Sequence, residues 1–168
     1  METKGENFIK VRPLHIDDFS NVLKWSKDDI FCLANGWEKN RNTEELYQWW
    51  LHCINNQSED FVRMGIEINK KIVGYVDLAS IKDNIAEIGI AIGESKLWGQ
   101  GIGFYATKCM MDFASKKLDI TIFDAETHKA NIRSRKMLEK IGFKEISRIG
   151  NDAYQDTKNK KMKNPFFN

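Results

Sequence analysis

The chain has 168 residues, 42% hydrophobic and 30% charged, which is the make-up of one ordinary globular domain that can bury a core without staples. Its 26 basic and 24 acidic residues leave a formal charge of +2, too even a balance for the basic footprint of a nucleic-acid or anionic-membrane binder. Three cysteines (Cys32, Cys53 and Cys109) form no CxxC pair, and METKGENFIK has no apolar signal region, so reduced thiols and a cytoplasmic location are expected.

FIKVRPL, residues 8–14, predicts a first strand. Asp17-Asp18 then opens a helical stretch carrying Phe19, Val22, Leu23 and Trp25. Thr43, Glu45 and Leu46 start a second helix with Tyr47, Trp49 and Trp50 on its aromatic face. From Phe61 the period falls to two: Val62, Met64, Ile66 and Ile68 alternate with Arg63, Gly65 and Glu67. Asn69-Lys70 is a turn signal, and residues 72–78 complete a hairpin. AEIGIAI, residues 86–92, is a further strand. Ile88, Ile90 and Ile92 take one face; Glu87, Gly89 and Ala91 take the other, which is small enough for something to lie on it.

KLWGQGIG comes next, and then a helix to about Lys117 with an apolar stripe of Ile102, Ala106, Cys109, Met110, Phe113 and Ala114. Residues 119–123 read as a strand, 131–141 as a helix stopped by Gly142, and 143–149 as another strand. Residues 151–168 lack strand alternation and are either an irregular tail or a short last strand of the same single domain, 1–168. The basic run from Lys158 to Lys163 reads as a solvated end. The predicted order is βααβββαβαβ, a mixed α+β class that begins antiparallel and ends in a strand–helix–strand unit.

Three glycines, Gly99, Gly101 and Gly103, stand where a helix begins, although each costs about 1 kcal/mol against alanine inside one. The spacing GxGxG is not the GxGxxG of a dinucleotide fold, and Phe104-Tyr105 replaces the Lys-Ser/Thr of a P-loop. Two readings stay open. One is a tight turn holding nothing. The other is bare backbone N–H groups wrapped around a phosphate-bearing ligand at a positive helix end.

Trp98-Gly99-Gln100-Gly101-Ile102-Gly103 resembles the pyrophosphate loop of the GNAT superfamily of acetyl-CoA-dependent N-acetyltransferases. Asn131-x-x-Ser134-x-x-x-Leu138-x-Lys140-x-Gly142-Phe143 is similar to the branch that acetylates ribosomal-protein N-termini and to its small-molecule relatives. The resemblance covers nearly the whole chain. It implies a mostly antiparallel central sheet flanked by helices. It also implies acetyl-CoA as cosubstrate, held by Ala91, Ile92, Trp98, Gly99, Gln100, Gly101, Ile102, Gly103, Phe104 and Asn131. Two departures stand out: Trp98 where Arg or Gln is usual, and Leu138 where many relatives carry a tyrosine that protonates the leaving thiolate.

The implied reaction is attack of a primary amine on the thioester carbonyl. Glu87 is the candidate base because strand alternation puts it on the face of Gly89 and Ala91, with Asp77 and Glu94 as alternatives. Glu87 could equally be a solvated strand-end glutamate. Ser134 is the candidate acid, or a small residue that permits close helix packing. Asn131 suits a helix N-cap as well as a cofactor contact. His128 precedes the same helix and reads mainly as an exposed loop residue. No residue spacing suggests a metal. Trp25, Trp37, Trp49 and Trp50 either stack on a cationic acceptor or pack two helices on the sheet. The acceptor is a protein N-terminus or a small amine, and a homodimer is common in the family. Leu138 keeps a second reading open, an acyl-CoA-binding module with impaired turnover. A ribosome-associated RNA binder is disfavoured by the charge balance.

Overall fold

The computed structural model describes residues 2–3, 8–128, 130–147 and 151–156. β1 (Glu2–Thr3) and β2 (Ile9–Arg12) open the chain. Arg12 pins the connection from β2 to the first helix, donating to the two carboxylate oxygens of Asp18 at 2.8 and 2.9 Å and to Glu67 at 2.7 Å. That helix, α1 (Phe19–Trp25), buries Val22 and Trp25. The sequence reading places no helix between Trp25 and Thr43, but the structure has one, α2 (Asp29–Asn35). Asp28 caps it by accepting from the Phe31 N–H at 3.0 Å, and Gly36 ends it in the left-handed region. Both end signals are in the sequence, but the 7 residues between them are too few for helical periodicity to show. α3 (Thr43–Asn55) is capped by Asn42 and buries Leu46, Trp50 and Cys53.

The alternation from Val62 becomes β3 (Val62–Ile68), which turns through Asn69 and Lys70, at φ 51° and 66°, into β4 (Lys71–Lys82). Two successive left-handed residues give the twist that a two-residue hairpin needs. β5 (Ile85–Ile92) and α4 (Ile102–Leu118) come next. The strand expected at 119–123 begins later, as β6 (Ile122–His128), because Asp119 takes the left-handed C-cap of α4 at φ 55°. α5 (Ile132–Ile141) stops at Gly142 as expected. β7 (Lys144–Ser147) is shorter than the expected 143–149, with residues 148–150 outside those described. β8 (Asn151–Asp156) shows that the segment after 150 starts with a short strand; of the proposed tail, residues 157–168 lie outside those described. The order is therefore ββαααβββαβαββ in place of βααβββαβαβ.

The strands form one sheet, ordered β1-β2-β3-β4-β5-β6-β8-β7. Among the described strands every neighbour is antiparallel except β5 and β6. Alternation splits the core in two. Val11, Ile66, Val76 and Ile88 face α4 and α5, where Met110, Ala114 and Leu138 are buried. Ile72, Tyr75 and Ala91 face α1, α2 and α3, packing on Trp25, Phe31 and Trp50. No helix among the described residues is long and apolar enough to cross a membrane.

Gly93, just after β5, lies directly beneath the Trp25 indole, and a Cβ there would fall inside the ring's contact distance. Trp25 is 1% exposed and cannot move aside freely. Gly93→Ala is expected to cost about 1–3 kcal/mol by overpacking. Urea unfolding checks this; an unchanged midpoint would show that the indole can shift.

Candidate active site

β5 and β6 run parallel only at Ile85–Ile122, Ala86–Phe123 and Glu87–Asp124. Beyond Glu87 they part, while β5 remains paired to β4 as far as Gly74–Ile92. The Gly93 N–H donates to the Val73 carbonyl at 2.6 Å, which fixes the phase of that ladder. The Ala91 backbone therefore faces Tyr75, and the groups turned towards the opening belong to Ile90 and Ile92. The Ile92 carbonyl already accepts from the Trp98 indole N–H at 3.0 Å. The sequence expectation assigned a backbone contact to Ala91 and Ile92; both residues line the cleft, where the register turns the backbone groups of Ile90 and Ile92 to the opening and those of Ala91 to Tyr75. Only the strand phase could reveal this.

The three glycines divide the work. Gly99 and Gly101 hold φ 81° and 83°, a conformation side chains strain to adopt, and they wind the loop into α4. Gly103 is helical, and a Cβ there would stand 3.1 Å from Met137 Sδ, so it lets α5 approach α4. Gly101 caps α4 without a side-chain bond, which leaves the first-turn N–H groups free of side-chain caps.

Loop, parted strand and the start of α5 enclose a cavity of about 950 Å³. Ala91, Ile92, Trp98, Gly99, Gly101, Ile102, Gly103, Phe104, Asn131 and Ser134 line it. Gln100 does not: it is exposed and donates to the Lys96 carbonyl at 3.3 Å. Glu87 also lies outside the lining. The charged groups of the lining are all basic, namely Arg133, Lys136 and Lys140 of α5, with no carboxylate among the described residues. The sequence reading missed this trio, although its i, i+3, i+7 spacing marks one helix face. It also missed Asp28, which accepts from the Ser95 N–H at 3.0 Å and the Ser95 hydroxyl at 2.8 Å. That tie brings Leu33, Ala34 and Asn35 of α2 to the cavity. Burial opposes ionisation of Asp28, but the hydrogen bonds from Phe31 and Ser95 outweigh it and lower the carboxyl pKa.

Asn131 caps α5, its Oδ1 accepting from the Ser134 N–H at 3.1 Å. Its Nδ2 therefore keeps its donors. His128 ends β6 rather than lying in a loop, and its Nδ1 accepts from the Ala130 N–H at 3.1 Å. Leu138 is 4% exposed and belongs to the core beneath α5.

Glu87 stands where β5 and β6 part, on the same face as Gly89 and Ala91. Parallel register places Asp124 on that face too, and Glu126 two residues on. Burial, then repulsion from Glu126, raises the Glu87 pKa. Nothing comes within 4 Å of where a Gly89 Cβ would be, so open space separates Glu87 from Ala91. Asp77 is engaged by Arg63, with bonds of 2.6 and 2.7 Å. Glu94 faces Lys96 at 3.7 Å.

The tryptophans are chiefly packing. Trp25 and Trp50 are buried, and Trp37 packs edge-on against Phe31 and Trp49 at 4.9 and 5.1 Å between centroids. The cation on this aromatic wall is the protein's own Arg63, 4.3 Å above Tyr75 and 5.6 Å from Trp49.

The model of the acetyltransferase (GNAT) domain matches residues 9–144. The chain belongs to the GNAT acetyltransferase family. That match does not single out the ribosomal-protein branch. An uncharacterized protein of Methanocaldococcus jannaschii is 33% identical over 142 residues, 83% of this chain. The chain spans only 29% of that relative's length. The fold of an aminoglycoside acetyltransferase, AAC(6')-Ib in complex with coenzyme A, superposes with a TM-score of 0.74 at 14% identity, covering 89% of this chain and 95% of the other. A spermidine N-acetyltransferase from Vibrio cholerae, in complex with CoA and spermine, gives 0.71 at 18% identity over 88% and 92%. At these identities the likeness is one of fold.

Proposed function

We propose that this GNAT domain transfers the acetyl group of acetyl-CoA directly to the primary amine of a small cationic acceptor. The observation that carries the reading is the cavity. A left-handed glycine loop, the start of α4 and the backbone of Ile90 and Ile92 beyond the last β5–β6 pair line one space whose charged lining residues, among those described, are all basic. Such a lining suits an extended polyanion with amide groups along its stem.

When bound, acetyl-CoA supplies an activated acyl carbon and a thiol leaving group. The chain's residues do the rest. Along the cleft the Ile90 and Ile92 N–H groups donate and the Ile90 carbonyl accepts. The first-turn N–H groups of α4, free of side-chain caps, would hold the phosphates. Glu87 takes a proton from the ammonium through a water above Gly89, since Glu87 and Ala91 are roughly 13 Å apart along the strand. The neutral amine nitrogen would then bond the carbonyl carbon as the C–S bond breaks, and the proton that the nitrogen sheds on becoming an amide would go to the departing sulfur. Ser134 is the hydroxyl lining the cavity near the head of α5, placed to hydrogen-bond that sulfur.

The neighbouring carboxylates of Glu87 and Glu126 support a cationic acceptor over a protein N-terminus, in keeping with the aminoglycoside and spermidine enzymes that share the fold. A binding module without turnover is the second reading, favoured by the burial of Leu138 where an acid is usual.

Thermal unfolding with acetyl-CoA, against NAD and ATP, tests the assignment. Ligand at one hundred times its dissociation constant should add about 2.7 kcal/mol, several degrees for a chain of this size. No shift overturns the cofactor assignment. Thiol release with a panel of amines then separates enzyme from binding module.

A further inference from the structure

Arg133 is in the first turn of α5, the positive end of the helix dipole, where a cation is unfavourable. That turn holds no acidic residue. Arg133 has no carboxylate partner among the described residues, whereas the next arginine, Arg135, reaches Glu145 at 3.5 Å. Its guanidinium instead lies on the Trp98 indole, 4.5 Å from the ring centroid. Trp98 is itself fixed by its bond to the Ile92 carbonyl. The result is a cation laid on an aromatic shelf at the mouth of the glycine loop, with both residues lining the cavity. Such an arrangement pre-orders the flat guanidinium while leaving its N–H edge free for a bidentate oxyanion.

We infer that Arg133, held on Trp98, fixes the diphosphate of the bound ligand. The inference rests on the acetyl-CoA reading above. Lys136 and Lys140 continue the basic face along α5, and Lys140 Nζ lies 4.5 Å from the ring of Phe104 in the first turn of α4, so they are placed for other phosphate groups.

The test is calorimetric binding of CoA and of dephospho-CoA, which keeps the diphosphate but lacks the 3′-phosphate. Arg133→Gln should weaken both by roughly tenfold, the worth of a charged hydrogen bond. Arg133 is exposed, and an unchanged melting temperature without ligand confirms that the variant folds. In a Trp98→Leu background the same substitution should cost clearly less, because the shelf is gone. Unchanged binding of both ligands by Arg133→Gln overturns the inference. A loss confined to CoA overturns it too, by moving Arg133 to the 3′-phosphate. An equal cost with and without Trp98 removes the shelf. A wild type that binds neither ligand overturns the acetyl-CoA reading itself, an outcome distinct from the rest.

Discussion

Asp77→Ala should melt about 10 °C below the wild type. Asp77 and Arg63 bond through both carboxylate oxygens, and their side chains are only 18% and 15% exposed. Burial alone would lower the Arg63 pKa, but the bonds to Asp77 outweigh it and raise it. Tyr75, Phe61 and Trp49 surround the guanidinium, and the Cys53 thiol accepts from its Nη1 at 3.3 Å. Removing the carboxylate strands a cation among rings. Breaking a buried pair from one side costs about 3–5 kcal/mol, and each kcal/mol is worth about 2–4 °C in a chain this long. Replacing both partners with apolar residues, as in Arg63→Met with Asp77→Leu, should recover most of the loss. Circular dichroism melts of the three variants decide the matter. An Asp77→Ala melt within about 2 °C of wild type would show that water already solvates the pair.

Glu87→Gln should lower kcat by about 10²–10⁴-fold while leaving acetyl-CoA binding intact, since Glu87 is outside the cavity lining. The sign of its pH dependence comes from its surroundings. Burial and Glu126 both disfavour the carboxylate, so its pKa is raised. The base form is the ionised one, so kcat/KM should rise with pH through a limb above the ordinary glutamate range. Glu126→Gln removes one of the two causes and should move that limb towards lower pH. An amine acceptor also titrates, but its limb would not respond to Glu126→Gln. A Glu87→Gln enzyme with normal turnover would exclude Glu87 as the base, and a pH profile identical in the Glu126 variant would leave burial as the cause of its raised pKa.

Much of this arrangement is legible in the chain. The hairpin at Asn69-Lys70 and the small face of Glu87, Gly89 and Ala91 come from period-two alternation, a property of neighbours. The glycine loop can be read because φ near 80° leaves a compositional mark. What stays hidden depends on residues far apart. Asp28 and Ser95 are 67 positions apart, and nothing local links them. The last β5–β6 pair, Glu87–Asp124, and the phase that turns the backbone groups of Ile90 rather than those of Ala91 to the cleft belong to strand register. Arg133 looks like any helix-surface cation until Trp98 is found beneath it. The same limit explains the tryptophans, whose edge-on packing and capture of Arg63 cannot be told by composition from a wall awaiting a ligand.

The parting of β5 from β6 also sets a ceiling on how stable this molecule can become. Had the two strands stayed zipped to their ends, Ile90 and Ile92 would have gained partners worth on the order of 2–3 kcal/mol. A search for hardier variants that scores melting temperature alone would favour substitutions that draw the strands together. Each would tighten the sheet and close the slot beside Ile90. Durability and usefulness pull in opposite directions at that one seam, so selection for robustness there should be run with the ligand present.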